Sequence, residues 1–279
     1  MAHATSPDAG AEPLNAVRLR SEVGGSASMW TDLRVVAETG STNEDALKQA
    51  VDGAAEGLVI AAESQTAGRG RQGRRWLTRP GAALTFSVLL RPQPVQRAPR
   101  GWLPLLAGLA TAAGLRQRTG VDARLKWPND VLVGDLKLAG ILAEQCGDAI
   151  VVGVGVNVLG REDNLPVTTA TSLERCAVDR TDLTDLTDLT GLLAAILREL
   201  EARYRRWCEA GPGEVDASGL REEYLSLCDT LGRAVLVQLP GDRELAGLAV
   251  DVDGAGQLMV RPRRGELVAV SAGDVIHVR

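Results

Sequence analysis

ARLKWPNDVLVGDLKLAGILAEQ, residues 123 to 145, alternates apolar runs with turn formers and reads as strand, turn, short strand, turn, strand. Pro128 has no N–H for a sheet ladder, and Asn129 and Asp130 form turns, so Lys126 and Trp127 end a strand beside a tight turn. A second turn, Val133-Gly134-Asp135, stands just before Lys137 on the returning strand. A hairpin of this length brings Lys126 and Lys137 toward each other, and two ammonium groups repel unless an anion lies between them. The chain has only three lysines, Lys48 being the third, against many arginines. Two lysines kept this close in so Arg-biased a chain point to a need for a compact ammonium there.

Upstream, Ser64 to Trp76 reads SQTAGRGRQGRRW. Gly68, Gly70 and Gly73 alternate with Arg69, Arg71, Arg74 and Arg75, and no large apolar side chain intervenes before Trp76, so this stretch cannot bury itself as an ordinary helix or strand. It is expected to be mobile when empty. Glycine lets the backbone approach a ligand closely, and guanidinium forks match carboxylate and phosphate oxygens, so the expected client is an anion. A solvated basic loop or a nucleic-acid contact would use the same residues.

The remaining elements fall around these two stretches. Residues 1–31 are rich in Ala, Gly, Ser and Pro without a sustained period and read as a disordered tail. Asp32 to Glu38 is a first strand; Ser41 then offers an N-cap, with Glu44 three residues on as a capping box, opening a helix to about Val51. A strand entering a helix N-terminus also presents hydroxyls and free N–H groups to a ligand. Gly57 to Gln65 and Ala82 to Leu90 are apolar strands, Trp102 to Gly120 a core helix, and Ala149 to Val158 (AIVVGVGVNV) a strand with Gly153 and Gly155 on one face. The TDLTDLTDLT run, Thr181 to Thr190, reads as a capped helix start or a loop; Gly191 to Ala210 is an amphipathic helix and Ser218 to Cys228 a shorter one. From Leu231 the texture changes to short β runs between GD, DGAG and RRGE turns, which suits a small barrel of SH3 type.

Composition narrows the function. No apolar run approaches the roughly 20 residues a bilayer span needs, and the N-terminus lacks a signal-peptide pattern, so a cytoplasmic protein is expected. A net charge of −5 and a pI near 5.3 argue against a dedicated nucleic-acid binder. Histidine occurs only as His3 and His277, which nearly excludes His-dependent triads and His-metal sites. Cys146, Cys176, Cys208 and Cys228 are 20 or more residues apart and read as isolated reduced thiols.

SQTAGRGRQGRRW, KWPND, KLAGILAE and VGVGVNV, in this order and spacing, make the chain resemble the biotin protein ligases over roughly residues 33 to 279. It looks like the monofunctional type, without the DNA-binding domain of the family's repressors. The resemblance implies an α+β protein: a class II synthetase-like mixed-sheet catalytic domain at residues 32–228 and a C-terminal SH3-like β-barrel at 229–279. It implies a ligase that makes biotinyl-5′-AMP from biotin and MgATP, then acylates a lysine of a biotin carboxyl carrier protein, an acyl-CoA carboxylase subunit. No DNA or membrane partner is expected.

By the same resemblance Lys137 and Arg71 are catalytic, because bringing a carboxylate to an α-phosphate calls for positive charge rather than a strong base. Ser41, Thr42, Asn43, Gln65, Gly68, Arg69, Gly70, Gly140, Gly153 and Gly155 join Arg71 and Lys137 on the biotin side. Trp76, Lys126, Trp127, Asn129 and Asn157 join Arg69, Arg71 and Lys137 on the ATP side. No metal ligand is assigned, Mg²⁺ arriving with ATP. A lipoate or octanoate ligase of the same fold, and a non-catalytic biotin-sensing or nucleic-acid-binding regulator, stay open at this point.

Overall fold

The computed structural model describes residues 11–76, 81–92, 100–160, 169–176, 187–211, 215–239, 241 and 243–278. The elements in chain order are α1 (Ala16–Val23), β1 (Asp32–Thr39), α2 (Thr42–Val51), β2 (Leu58–Gln65), β3 (Ala83–Leu90), α3 (Trp102–Thr119), β4 (Ala123–Lys126), β5 (Asp130–Val133), β6 (Leu136–Cys146), β7 (Ala149–Asn157) and α4 (Leu173–Cys176). Then follow α5 (Leu189–Ala210), α6 (Leu220–Leu227), β8 (Ala234–Leu239), β9 (Arg243–Val252), β10 (Leu258–Pro262), β11 (Val268–Val270) and β12 (Asp274–His277).

A seven-stranded sheet runs in the order β1-β2-β3-β7-β6-β5-β4. β1 and β2 are parallel because α2 crosses between them; every other neighbour is antiparallel. β7 is buried along its whole length, since it is covered on both faces and can therefore be almost uniformly apolar. Val152, Val154 and Val156 face the large core under α3 and α5, whereas Ala149 and Val151 pack with Ala46 and Ala50 of α2. By the two-residue period Gly153, Gly155 and Asn157 lie on the α2 side. Across the ladder Gly155 pairs with Gly140 and with Thr85. That part of the α2 face therefore carries little side-chain bulk.

The C-terminal sheet is antiparallel, five-stranded and ordered β11-β10-β9-β8-β12, with β11 and β12 as its two edges. The described strands do not close into the expected barrel. Trp127 and Trp102 tie this sheet to the larger unit, their indole N–H groups donating to Gly256 O and Gly254 O, both at 3.0 Å.

Two local expectations need correction. The N-terminal stretch read as a tail through residue 31 contains α1, capped by Asn15, whose side chain accepts from Arg18 N at 2.9 Å. Leu19 and Val23 are buried, and Arg18 grips Asp188 through both guanidinium nitrogens at 2.7 and 2.6 Å. Eight residues with two buried apolar positions give too short a period to read; the helix is held by tertiary contact with α5. At α2 Ser41 occupies the N-cap but its hydroxyl makes no capping bond; the Thr42 N–H goes instead to Gln65 Oε1 at 2.8 Å. Of the Thr-Asp-Leu run, residues 181–186 lie outside the described residues, while Asp188 caps α5 by accepting from Gly191 N at 2.9 Å.

Candidate active site

A cleft of about 850 Å³ opens on the α2 face of the large sheet. It is bounded by the α2 N-terminus, the ends of β2, β6 and β7, the Arg/Gly loop and the edge of the C-terminal sheet at β12. Ser41, Thr42, Asn43, Gln65, Arg69, Gly70, Arg71, Trp76, Lys126, Asn129, Lys137, Gly140, Gly153, Gly155 and Asn157 all line it. Residues from five separate sequence stretches thus meet in one place.

The Arg/Gly loop folds on itself. Trp76 N donates to Gly68 O at 2.8 Å and Gly70 N to Arg74 O at 2.7 Å, with a 3₁₀ turn at Arg71–Gly73 between them. Gly68 does not line the cleft. A Cβ there would stand 2.6 Å from Trp76 O, so its lack of a side chain lets the loop neck close. Arg71 turns inward and donates to Asn129 Oδ1 at 3.2 Å, while Asn129 Nδ2 donates to Ile141 O at 2.9 Å. Arg69 pairs with Glu44 at 3.4 Å, and Arg74 reaches Asp274 of β12 at 2.8 Å.

Seven cations line the cleft, Arg69, Arg71, Arg74 and Arg75 from the loop and Lys126, Lys137 and Arg233 from the two sheets and their connections. Burial pushes both Arg71 and Lys126 below their ordinary values; Asp274 and Asp130 pull Arg71 back, and Asp130 pulls Lys126 back against Lys137. A cation partly stripped of water gains most from an anion brought to it. Lys137 Nζ lies 2.5 Å from Asp130 Oδ1, so the acid between the hairpin lysines relieves the repulsion expected from their spacing.

Two expected roles change. Trp127 is 2% exposed; its backbone N–H donates to Thr230 Oγ1 at 3.0 Å and its indole to Gly256 O, so it is absent from the cleft and cannot cover a base there. The three glycines of the sheet make room for side chains. A Cβ on Gly153 would fall 2.1 Å from Asn43 Oδ1, and one on Gly155 2.4 Å from Trp76 Cε2. On Gly140 it would meet Lys137 Nζ at 3.1 Å and Trp76 Cζ3 at 3.2 Å. The Trp76 indole therefore lies over the Gly140–Gly155 patch, with its Nε1 buried and unpaired. Asn43 commits both amide hydrogens to Leu142 O and Glu144 Oε2, at 3.2 and 2.7 Å, and has no donor left for a ligand. Asn157 similarly donates to Thr171 O at 3.0 Å.

Sequence reasoning missed the contribution of distant segments. Thr169 and Ala170 line the cleft, and Lys137 is clamped between them and Thr171 by Lys137 N to Thr169 O and Thr171 N to Lys137 O, both 2.8 Å. No motif marks that stretch. Arg233, Ile276, His277 and Val278 form the outer wall. His277 sits beside Thr230 Oγ1 at 3.2 Å, and burial, with Lys126 and Arg233 nearby, pushes it down to about 4, so it is neutral at pH 7.

Residues 35–158 match the Biotin/lipoate A/B protein ligase family, and residues 230–278 match the Biotin protein ligase C terminal domain. The biotin–[acetyl-CoA-carboxylase] ligase of Mycobacterium tuberculosis is 41% identical over 96% of this chain and 97% of its own length. That of Paracoccus denitrificans is 33% identical over 85% of this chain and 98% of its own length. Among solved structures, the biotin protein ligase of Aquifex aeolicus in complex with biotin and ATP superposes with a TM-score of 0.72 at 27% identity, covering 89% of this chain and 99% of the other. The mixed α/β unit with its C-terminal antiparallel sheet is the fold of these ligases, and the chain belongs to the biotin protein ligases of the Biotin/lipoate A/B protein ligase family.

Proposed function

We propose that this chain is the biotin–[biotin carboxyl carrier protein] ligase of its cell, making biotinyl-5′-AMP and passing the biotinyl group to a carrier lysine. The observation that carries the reading is the convergence of Arg71, Lys126 and Lys137 on one cleft. In the first step a biotin carboxylate oxygen bonds to the α-phosphorus and the bond to pyrophosphate breaks, pyrophosphate leaving with the electron pair. Two anions must approach each other, and fixed cations lower that barrier without a base. In the second step the carrier amine attacks the acyl carbon, AMP leaves, and the amine proton is released.

Lys137 takes the position between carboxylate and α-phosphate, and Arg71 neutralises the phosphate from the loop. Thr42 and Gln65 hold the ureido ring, with Ser41, Gly70 and Arg69 around it; Trp76, Lys126, Asn129 and Arg71 serve the adenylate. Mg²⁺ would arrive with ATP and supply neutralisation of phosphate charge, while the carboxylates lining the cleft, Asp130 and Asp135, pair with Lys137 and Arg233. We further read residues 32–228 as a class II synthetase-like catalytic unit and 229–279 as an SH3-like one, the acceptor as a carboxylase carrier subunit, and the site of action as the cytoplasm. No helix among the described residues is long and apolar enough to cross a membrane.

Biotin-dependent exchange of labelled pyrophosphate into ATP, followed by biotin transfer to a carrier domain, tests the proposal. Exchange supported by lipoate and not by biotin would overturn it.

A further inference from the structure

Behind the α2 N-terminus lies a chain of hydrogen bonds whose proton directions are forced. Asn43 is 4% exposed and Ser87 fully buried; the latter sits on β3 opposite Gly153. One end of the Asn43 amide faces Leu142 O at 3.2 Å and Glu144 Oε2 at 2.7 Å. A carbonyl oxygen only accepts, and an ionised carboxylate likewise, so that end is the NH₂ group and the other is the carbonyl. The carbonyl, Oδ1, stands 2.6 Å from Ser87 Oγ. Two oxygens that close need a proton between them, and the amide oxygen has none, so Ser87 donates to Asn43.

Ser87 has one proton, and it is now spent. Its oxygen is also 2.7 Å from Thr42 Oγ1, so the proton in that contact must come from Thr42. Thr42 Oγ1 also approaches Gln65 Oε1, which accepts the Thr42 N–H at 2.8 Å and has a second lone pair, but that contact is long at 3.2 Å, whereas the 2.7 Å contact with Ser87 cannot stand without a hydrogen and so takes the Thr42 proton. With its single proton given to Ser87, the Thr42 hydroxyl is left as an acceptor only, on a residue that lines the cleft. An opposite polarity would leave either Ser87 and Asn43 or Asn43 and Glu144 as paired acceptors with no hydrogen between them.

We propose that Ser87 and Asn43 are positioning residues that hold the Thr42 hydroxyl as an acceptor, so that the cleft selects a ligand ring carrying an N–H at that point and rejects one that offers none. This rests on the biotin reading above: the ureido ring has N–H groups on both sides of its carbonyl, whereas a dithiolane has none. The discrimination is built behind the ligand, in residues that do not touch it. A site whose buried polar group is oriented for one partner penalises an analogue that leaves it unpaired.

The experiment compares biotin with its two mono-N-methylated ureido analogues in pyrophosphate exchange, using wild type, Ser87→Ala, Thr42→Val and the double variant. Wild type is expected to favour biotin over one of the two analogues by more than about ten-fold in kcat/KM, and Ser87→Ala to erase most of that ratio by raising KM for biotin about ten-fold, with kcat changed less than about two-fold. The methyl group's bulk burdens wild type and variant alike and cancels in the comparison. In the Thr42→Val background Ser87→Ala should add nothing, because the hydroxyl it orients is gone. Should the alanine variant fail to fold, Ser87→Cys keeps the volume with a weak donor and should shift the ratio in the same direction. An unchanged ratio in a folded Ser87 variant, or full additivity with Thr42→Val, would overturn the inference while leaving the ligase reading intact. Absence of biotin-dependent exchange in wild type would instead overturn that reading, and this inference with it.

Discussion

Lys137 Nζ and Asp130 Oδ1 stand 2.5 Å apart, a close ion pair at the cleft. The ammonium has three donors and one carboxylate oxygen engages one of them, so the others can turn toward an arriving anion. The same Nζ is 5.9 Å from the Trp76 ring centroid, so it is held between a carboxylate and an aromatic face at the mouth of the glycine patch. Lys137→Ala should therefore spare the fold and reduce adenylate formation by about 10²–10³, the usual cost of removing one transition-state charge contact. The check is pyrophosphate exchange alongside a melting curve; near-normal exchange by a folded variant would refute the role.

Trp76 lies on a surface that only glycine permits. A methyl group at Gly155 would stand 2.4 Å from Trp76 Cε2, and the fault cannot be absorbed by the end of a thin flexible chain, because it meets the fused ring. Gly155→Ala should displace the indole and raise KM for ATP by several fold, with the emission of Trp76 shifting toward that of an exposed indole. Trp76→Phe, which removes the buried unpaired Nε1, should be neutral or slightly stabilising, since an orphaned donor costs about 1–3 kcal/mol. A melting temperature several degrees lower for Trp76→Phe would show that Nε1 is satisfied in solution.

Trp127 separates what local sequence could say from what it could not. KWPND was readable as a strand end and turn, and Lys126, Asn129 and Asp130 do stand at the cleft. The direction of the intervening tryptophan was not readable, because its partner is Gly256, 129 residues away. The same holds for α1, whose Arg18 is paired with Asp188, and for the Lys137 clamp at residues 169–171. Strand and helix spans were legible because periodicity is a local property; the walls of the cleft depend on which distant segments meet. Gly153 and Gly155 illustrate an intermediate case: close approach was readable, but that Asn43 and Trp76 make it was not.

Trp127→Phe should accordingly lower unfolding stability by about 1 kcal/mol through the lost indole bond, and Trp127→Ala by about 3–5 kcal/mol through the cavity as well. The KM for ATP should stay unchanged in the Phe variant. Denaturant unfolding and exchange kinetics check both, and a Phe variant with normal stability but weakened ATP use would return Trp127 to the nucleotide site.

His277 gives the fold a pH dependence of known sign. Its folded value is about 4 against an ordinary 6.5, burial being the main cause and Lys126 and Arg233 adding to it, with Asp229 and Asp135 opposing. Between those two values the unfolded chain binds a proton that the folded chain does not, so this site's contribution falls as pH drops from about 6.5 toward 4 and is constant above 6.5. His277→Gln should remove that part of the slope. The measurement is the difference in melting temperature between wild type and variant at pH 7.5 and at pH 5; an equal difference at both would show that His277 titrates normally.

The Arg/Gly loop is built to close over an anion. Gln72 to Arg75 are exposed, and the loop's internal bonds are few: two backbone bonds across its neck, Gly70 N to Arg74 O and Trp76 N to Gly68 O, and, at the turn, bonds from Arg74 N and Arg74 Nε to Arg71 O. So little apolar burial cannot offset roughly 1–2 kcal/mol per residue of backbone ordering. Arg71 is the exception, turned into the cleft onto Asn129 and partly desolvated there. An anion in the cleft would add charge-assisted bonds to it and draw the loop shut, excluding water from a mixed anhydride that would otherwise hydrolyse or acylate a passing lysine. Amide exchange across residues 68–75 should therefore slow when biotin and ATP are both present. Arg71→Gly should hold biotinyl-adenylate less tightly and label a bystander protein mixed with the carrier. Equal exchange in both states, or a variant that keeps carrier selectivity, would show that the loop does not retain the intermediate.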